Sequence, residues 1–115
     1  MSPSTRSNTV VRRRAQAPIF AALGDATRLA LVAKLAAGKT CSIAQLTAGT
    51  DLTRQGVTKH LRVLESVGIV RSERAGRESL FVFEPRPLRE AKSYLDVVAQ
   101  QWDDALTRLQ SFVEE

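Results

Sequence analysis

The sequence predicts a winged helix-turn-helix fold, mainly α-helical with a small β-hairpin, in the order α-α-α-α-β-β-α. Helical periodicity runs through residues 15–67, changes to a period of two across 69–84, and returns from residue 88. Two helical segments at about 42–48 and 53–67 are separated by about four residues that include a glycine. A helix pair of this kind followed directly by a hairpin indicates a helix-turn-helix with a wing.

Composition limits the class of protein. The chain has 115 residues, which suits one domain, and a single cysteine, which excludes an intramolecular disulfide framework. No run of 18 apolar residues predicts a transmembrane helix, and the N-terminus lacks the apolar core of a secretion signal, so we expect a cytoplasmic protein without membrane contact. The net charge of +5 and the pI of about 10.1 favour nucleic acid or another anionic partner.

Charge is unevenly distributed along the chain. Residues 1–14 carry four arginines, no acid and no periodicity, so we predict a disordered basic arm, either an inert tail or a segment that touches DNA. Residues 15–115 form the predicted DNA-binding and dimerisation domain. Its last segment, 88–115, carries three basic and six acidic residues and therefore presents a different kind of surface.

The first two predicted helices are short and end at glycines. Pro18 is expected to open the first helix, and Gly24 to end it. Asp25 is expected to cap the second, which spans 26–37 and ends at Gly38. The side chains expected to face inward on the second helix are Leu29, Val32, Leu35 and Ala36.

The stretch "TRQGVTKHLRVLESVGIV", which begins at Thr53, forms an amphipathic helix with an unusual polar face. An ordinary solvated face mixes charges of both signs, because pairs of opposite charge stabilise a surface helix. Here the first acid, Glu65, comes late in the helix. A face of donors and cations suits the major groove, where side chains contact base edges and phosphates. The polar face consists of Arg54, Gln55, Thr58, Lys59 and Arg62.

The predicted wing spans about 69–84, with a tight turn at Ala75–Gly76 and with Arg71, Arg74 and Arg77 on or near its tip. Between Leu52 and Arg77 there are six basic residues and two acidic ones. We predict that the three arginines join the polar helix face in binding double-stranded DNA.

The last predicted helix, about 88–113, carries a heptad seam that continues for about four repeats. Such a helix extends beyond the small domain it covers, so we predict a homodimer that reads an inverted repeat, with the first helix contributing to the interface. The seam consists of Leu88, Ala91, Leu95, Val98, Trp102, Ala105, Leu109 and Phe112. The predicted interface residues are Phe20, Leu88, Leu95, Val98, Trp102, Leu109 and Phe112.

Four segments resemble the ArsR/SmtB family of bacterial winged-helix repressors: "FAALGDATRLALVAKLAAG", "IAQL", the helix that begins at Thr53, and "RSERAGRESLFVF". The resemblance covers about residues 17–113. It implies a homodimeric transcriptional repressor that an inducer releases from its operator.

The metal sites of that family do not map onto this sequence. Family members that use a Cys-x-Cys pair would place it at Ser42 and Ala44, and Cys41 stands alone beside these positions. One thiol supplies too few soft ligands, and the last helix contains no histidine. We therefore predict no metal site and no cofactor. His60, the only histidine, is expected on the packed side of its helix, where the resemblance also implies that it reaches a phosphate.

Alternatives remain for how the protein is regulated and for what it binds. Cys41 is either a small residue at a helix entry or a redox switch whose thiolate is favoured by a helix N-terminus. The winged helix could serve protein or RNA binding instead of DNA binding, although protein interfaces are depleted in lysine. The sequence shows no pairing of a nucleophile with a base and no glycine-rich phosphate loop, so we do not expect an enzyme.

Overall fold

The computed structural model describes residues 5–114, with side chains from residue 8, as five helices and three short strands. The element order confirms the predicted fold class and adds one strand. No helix in this part of the chain is long and apolar enough to cross a membrane. The elements are α1 (Thr5–Leu23), α2 (Ala26–Ala36), β1 (Cys41–Ser42), α3 (Ile43–Thr47), α4 (Arg54–Ser66), β2 (Val70–Ala75), β3 (Glu78–Phe83) and α5 (Arg86–Glu114).

The core lies where α2, α3 and α4 meet the sheet. Each fully buried aliphatic side chain contributes about 1.5–3 kcal/mol, so these contacts fix the rotation of α4 about its axis. The polar face of α4 is consequently turned outward. The fully buried side chains are Leu35, Leu46, Val57, Leu61, Leu64, Ile69 and Val70.

Local hydrogen bonds define where the helices begin. Asp25 caps α2 by accepting a hydrogen bond from the backbone N–H of Arg28 at 2.9 Å. Ser42 and Gln45 form a reciprocal capping box at the start of α3, and Thr53 caps α4 through its hydroxyl. These caps confirm the predicted starts of α2 and α4. The starts were predictable because capping depends on residues only three apart.

The sheet is antiparallel, with strand order β1-β3-β2. β1 pairs Cys41 with Phe81 and is only two residues long, which is too short to show a period in sequence. In the wing, Ala75 pairs with Glu78, so the turn is Gly76–Arg77 and not the predicted Ala75–Gly76. Gly76 has φ of 64°, the sign that the first turn position requires in a type II′ hairpin.

The prediction of a disordered arm over residues 1–14 was wrong for the part of it that the structure describes. α1 begins at Thr5, and Pro18 lies inside the helix instead of opening it. Proline costs an interior hydrogen bond, but contacts with α5 favour the longer helix. The Arg12 guanidinium lies 6.0 Å from the ring centroid of Tyr94, and the Phe20 ring packs against the same ring in a tilted arrangement. Residues 1–4 lie outside the described part.

Leu29 and Ala36 of α2 are exposed, although both were predicted to face inward, and Val63 of α4 is also exposed. Leu29 is 51% exposed because the buried stripe of α2 passes through Leu31, Val32 and Leu35. Val63 is 39% exposed because α4 buries only its stripe through Leu61 and Leu64. Leu29 and Val63 lie at the edges of stripes that the domain only partly covers, which periodicity alone does not reveal.

α5 extends well beyond the domain. It begins at Arg86, with Pro87 in its first turn, where a missing N–H costs little. At 1.5 Å per residue its 29 residues span about 43 Å. A compact chain of about 100 residues has a radius of gyration of about 13 Å. The radius of gyration of this chain is 18.9 Å. It is larger because the end of α5 projects away from the domain, where every described residue from 99 onward is exposed.

Candidate nucleic-acid interface

The outward face of α4 consists of cations, an amide and a hydroxyl. Buried Val57, Leu61 and Leu64 hold the opposite side of the helix in the core. The first two turns carry no carboxylate, so nothing there neutralises the cations or repels a phosphate. Four side chains of this face are exposed and Thr58 is half-buried; the face comprises Arg54, Gln55, Thr58, Lys59 and Arg62.

The hydroxyl of Thr58 is already committed as a donor. Its Oγ1 donates to the backbone carbonyl of Arg54 at 2.7 Å. A hydroxyl has one hydrogen and two lone pairs, so Thr58 retains an acceptor and a methyl group for a ligand. We therefore expect Thr58 to accept a hydrogen bond from a ligand or to make an apolar contact with it, and not to donate.

Arg62 and Glu65 lie at the far end of the face. Their charged groups are 3.8 Å apart, and the Arg62 side chain is 75% exposed, so the pair is weak. Glu65 also accepts a hydrogen bond from Ser72 of β2 at 2.8 Å. The only acid on this stretch thus connects α4 to the wing and leaves Arg62 largely available to an anion.

Arg54 and Arg77 line one cleft between the start of α4 and the wing turn. Both side chains are exposed. The cleft has a volume of about 290 Å³ and brings together the helix-turn-helix and the wing, which are separate in sequence. The two arginines outnumber the one carboxylate of the lining, that of Glu78, so the net positive charge suits an anion such as a phosphate. The remaining lining residues are Ser42, Ile43, Ala44, Glu78 and Ser79.

The three wing arginines differ in their surroundings. Arg74 and Arg77 are exposed near the turn, as predicted. Arg71 pairs with Val82 at the base of the hairpin, so its predicted place near the tip was wrong. Its guanidinium is paired with both Glu73 and Glu84. The hydrogen bonds that Arg71 donates, first to Glu73 and then to Glu84, raise the pKa of Arg71, and the two carboxylates offset the positive charge that a ligand would meet.

A polar network that the sequence did not predict joins three helices. Arg28 donates from Nε to the carbonyl of Ala22 at 2.6 Å, and its Nη1 lies 3.2 Å from Nδ1 of His60. His60 is therefore half-buried in a polar corner and not simply packed among apolar groups. The only feature of the sequence that indicated part of this network was the three-residue spacing of Asp25 and Arg28 at the start of α2.

Cys41 is half-buried on β1, and its Sγ lies 3.8 Å from the backbone carbonyl of Lys39. Of the aligned positions, Ser42 caps α3 and Ala44 is the second residue of that helix. Across the described residues there is no group of three or more His, Cys, Asp or Glu side chains that could hold a metal ion.

The predicted interface residues fall into two groups. Phe20 and Leu88 pack against the core of their own chain, and Val98 is half-buried. The others leave much of their apolar surface in solvent. Their exposed fractions are 49% for Leu95, 69% for Trp102, 59% for Leu109 and 77% for Phe112.

Comparison with known proteins agrees with this architecture. The profile of a helix-turn-helix domain family matches residues 23–73. The chain is 36% identical over 77 residues to the uncharacterized HTH-type transcriptional regulator YuzN of Bacillus subtilis, covering 62% of this chain and 84% of YuzN. It is 32% identical over 88 residues to the HTH-type transcriptional repressor SmtB of Mycobacterium tuberculosis, covering 76% of this chain and 63% of SmtB.

A solved structure is also similar. The ArsR-like transcriptional regulator from Rhodococcus sp. RHA1 superposes with a TM-score of 0.73 and is 28% identical. The match covers 86% of this chain and 92% of the Rhodococcus chain, so it includes the elements on both sides of the helix-turn-helix.

Proposed function

Because this chain belongs to the ArsR/SmtB family of winged helix-turn-helix transcriptional regulators, we propose that it is a homodimeric repressor of its own or a neighbouring operon. It binds an inverted-repeat operator in double-stranded DNA in the cytoplasm. The observation that carries the proposal is the outward face of α4, which is rich in cations and free of acid over its first two turns.

In this proposal α4 is the recognition helix. The N-terminal residues of such a helix contact base edges in the major groove. Gln55 offers an amide that can form two hydrogen bonds to adenine, and Arg54 and Lys59 can donate to guanine or to phosphate. Thr58 accepts or makes a methyl contact, and Arg62 binds a phosphate.

The wing contributes affinity more than sequence preference. Arg74 and Arg77 are exposed near the wing turn, and in this proposal they contact the DNA backbone or the minor groove. Arg77 shares its cleft with Arg54, so one phosphate can bridge the helix and the wing. Arg71 contributes least, since two carboxylates already bind its guanidinium.

The dimer forms through α5. Its second half exposes large apolar side chains along one seam, including Trp102, Leu109 and Phe112. An apolar surface of this extent is unusual on a monomer and typical of an interface. The acidic charge of residues 88–115 keeps this helix away from phosphates. A two-fold axis there places two recognition helices on one face of the particle.

Regulation does not depend on a metal in this proposal. The residues at the family's thiol positions are Ser42 and Ala44, and neither side chain is a soft-metal ligand. Cys41 provides one thiol, which is fewer than a tetrahedral site needs.

Gel-shift and footprinting assays with the DNA upstream of its own gene test the proposal. We expect saturable binding to an inverted repeat at physiological salt, with two half-sites about one helical turn, or a multiple of it, apart. Protection of a single half-site by a monomer, or equal binding to unrelated DNA and RNA, would contradict it.

A further inference from the structure

The corner where α1, α2 and α4 meet contains the only histidine of the chain, and its surroundings determine its hydrogen-bonding state. Nδ1 of His60 lies 3.2 Å from Nη1 of Arg28 and 3.8 Å from Oδ2 of Asp25. Only the first distance is within hydrogen-bonding range. The contact with Arg28 therefore decides which species of the ring this site holds.

An arginine side chain can only donate, because the guanidinium stays protonated and has no free lone pair. Nδ1 of His60 must then be the acceptor, and in the neutral ring the proton resides on Nε2. A proton on Nδ1 would point one donor at another at 3.2 Å. Arg28 therefore selects the Nε2–H tautomer.

The same guanidinium reaches both neighbouring helices. Arg28 belongs to α2, its Nε donates to the carbonyl of Ala22 near the end of α1, and its Nη1 donates to His60 on α4. The Asp25 carboxylate binds the backbone N–H of Arg28 and orients the first turn of α2. The network thus connects α1, which packs on α5, to the helix that carries Arg54 and Lys59.

We propose that Arg28 and His60 are positioning residues for DNA binding, which hold the recognition helix at a fixed angle to the α1–α5 layer through a hydrogen bond from Arg28 to neutral His60. This inference rests on the proposed function. His60 touches no base in this account, so its loss lowers affinity for every operator sequence equally and leaves base preference unchanged.

Two variants of His60 separate this role from simple packing. Asparagine places its amide oxygen where Nδ1 stands and can still accept from Arg28, whereas leucine fills the space without an acceptor. We expect His60→Asn to bind the operator within about threefold of the natural protein and His60→Leu to bind about tenfold more weakly, the effect of losing one charge-assisted hydrogen bond. Arg28→Lys should resemble His60→Leu, because an ammonium lacks the planar fork that reaches both partners.

Nitrogen-15 NMR on the unmodified protein gives a second measurement that does not depend on any variant folding. The spectrum contains one histidine side chain, so its two ring nitrogens need no assignment by mutation. Under conditions where the ring is neutral, we expect the proton on Nε2. A proton on Nδ1, or equal operator affinity of the asparagine and leucine variants at equal thermal stability, would overturn the inference. Failure of the unmodified protein to bind any operator would instead contradict the proposed function.

Discussion

The ring centroids of Phe20 and Tyr94 lie 6.2 Å apart, with the ring planes tilted by 48°. Arg12 contacts the same tyrosine and also donates to Ser93 at 3.3 Å. α1 is therefore docked on the first half of α5 and leaves the second half uncovered. Phe20 therefore packs within its own chain, whereas Trp102 remains exposed.

Replacing Trp102 by alanine should weaken both self-association and operator binding. A large aromatic side chain near the centre of an interface contributes about 2 kcal/mol or more, so the dimer dissociation constant should rise at least about tenfold. Sedimentation and gel shifts on the same samples measure the two effects. Leu29→Ala is the matched control, since Leu29 is also an exposed apolar side chain but lies on α2. A micromolar monomer that binds one half-site with full affinity would contradict the dimer.

Gln55→Ala should relax base preference at one position in each half-site. The loss of a bidentate amide contact should reduce discrimination there by about 1–3 kcal/mol. Selection of operators from a randomised pool measures preference position by position. Gln101→Ala removes an exposed amide from α5 and should leave every position unchanged. Identical preferences for both variants would remove Gln55 from base readout.

Arg74→Ala and Arg77→Ala should weaken specific and nonspecific DNA binding together. Each loss of a phosphate contact should flatten the dependence of log affinity on log salt by about one unit. Arg71→Ala is the internal comparison, because its guanidinium is already paired with Glu73 and Glu84, and it should change the slope less. A change of preferred sequence without a change of salt slope would count against the wing assignment.

Zinc and arsenite at stoichiometric concentration should not release the protein from its operator. One thiol offers too few soft ligands for a tight site. Gel shifts with and without each ion, beside the Cys41→Ser variant, measure this directly. Tight metal binding that lowers operator affinity would overturn the metal-free proposal. Release by peroxide that disappears in Cys41→Ser would favour a redox switch instead.

The stability contributed by the Asp25 carboxylate should depend on pH. The backbone N–H of Arg28, and the charge of the Arg28 guanidinium, hold the pKa of Asp25 below its ordinary value of 3.8. Its contribution is therefore present above pH 3.8 and is lost as the pH falls through the lower folded-state pKa.

Denaturant unfolding between pH 3 and 7 checks this linkage, with Asp25→Asn as the comparison, since asparagine also caps helices. The difference in free energy of unfolding between the two proteins should shrink on acidification. Asp25→Ala should lower the free energy of unfolding at pH 7 more than Asp25→Asn does, because alanine removes the cap itself. A difference between the natural protein and Asp25→Asn that grows towards low pH would contradict the assignment.

The sequence by itself determined the features that depend on near neighbours. The caps at Asp25 and Thr53 use partners three residues away, and the amphipathic pattern of α4 repeats within one helix. Such interactions form wherever those residues occur together, so periodicity and capping rules predict them. The cation-rich face of α4, the hairpin and the long apolar seam of α5 were all predictable for this reason.

Only the tertiary structure decided features that join distant parts of the chain. Contacts of Arg12 with Ser93 and Tyr94 extend α1 through Pro18, against the local preference of proline for a helix start. Glu84 reaches Arg71 across 13 residues, and His60 meets Arg28 across 32. These contacts form only when elements that are distant in sequence pack together. A local pattern of residues does not specify that packing.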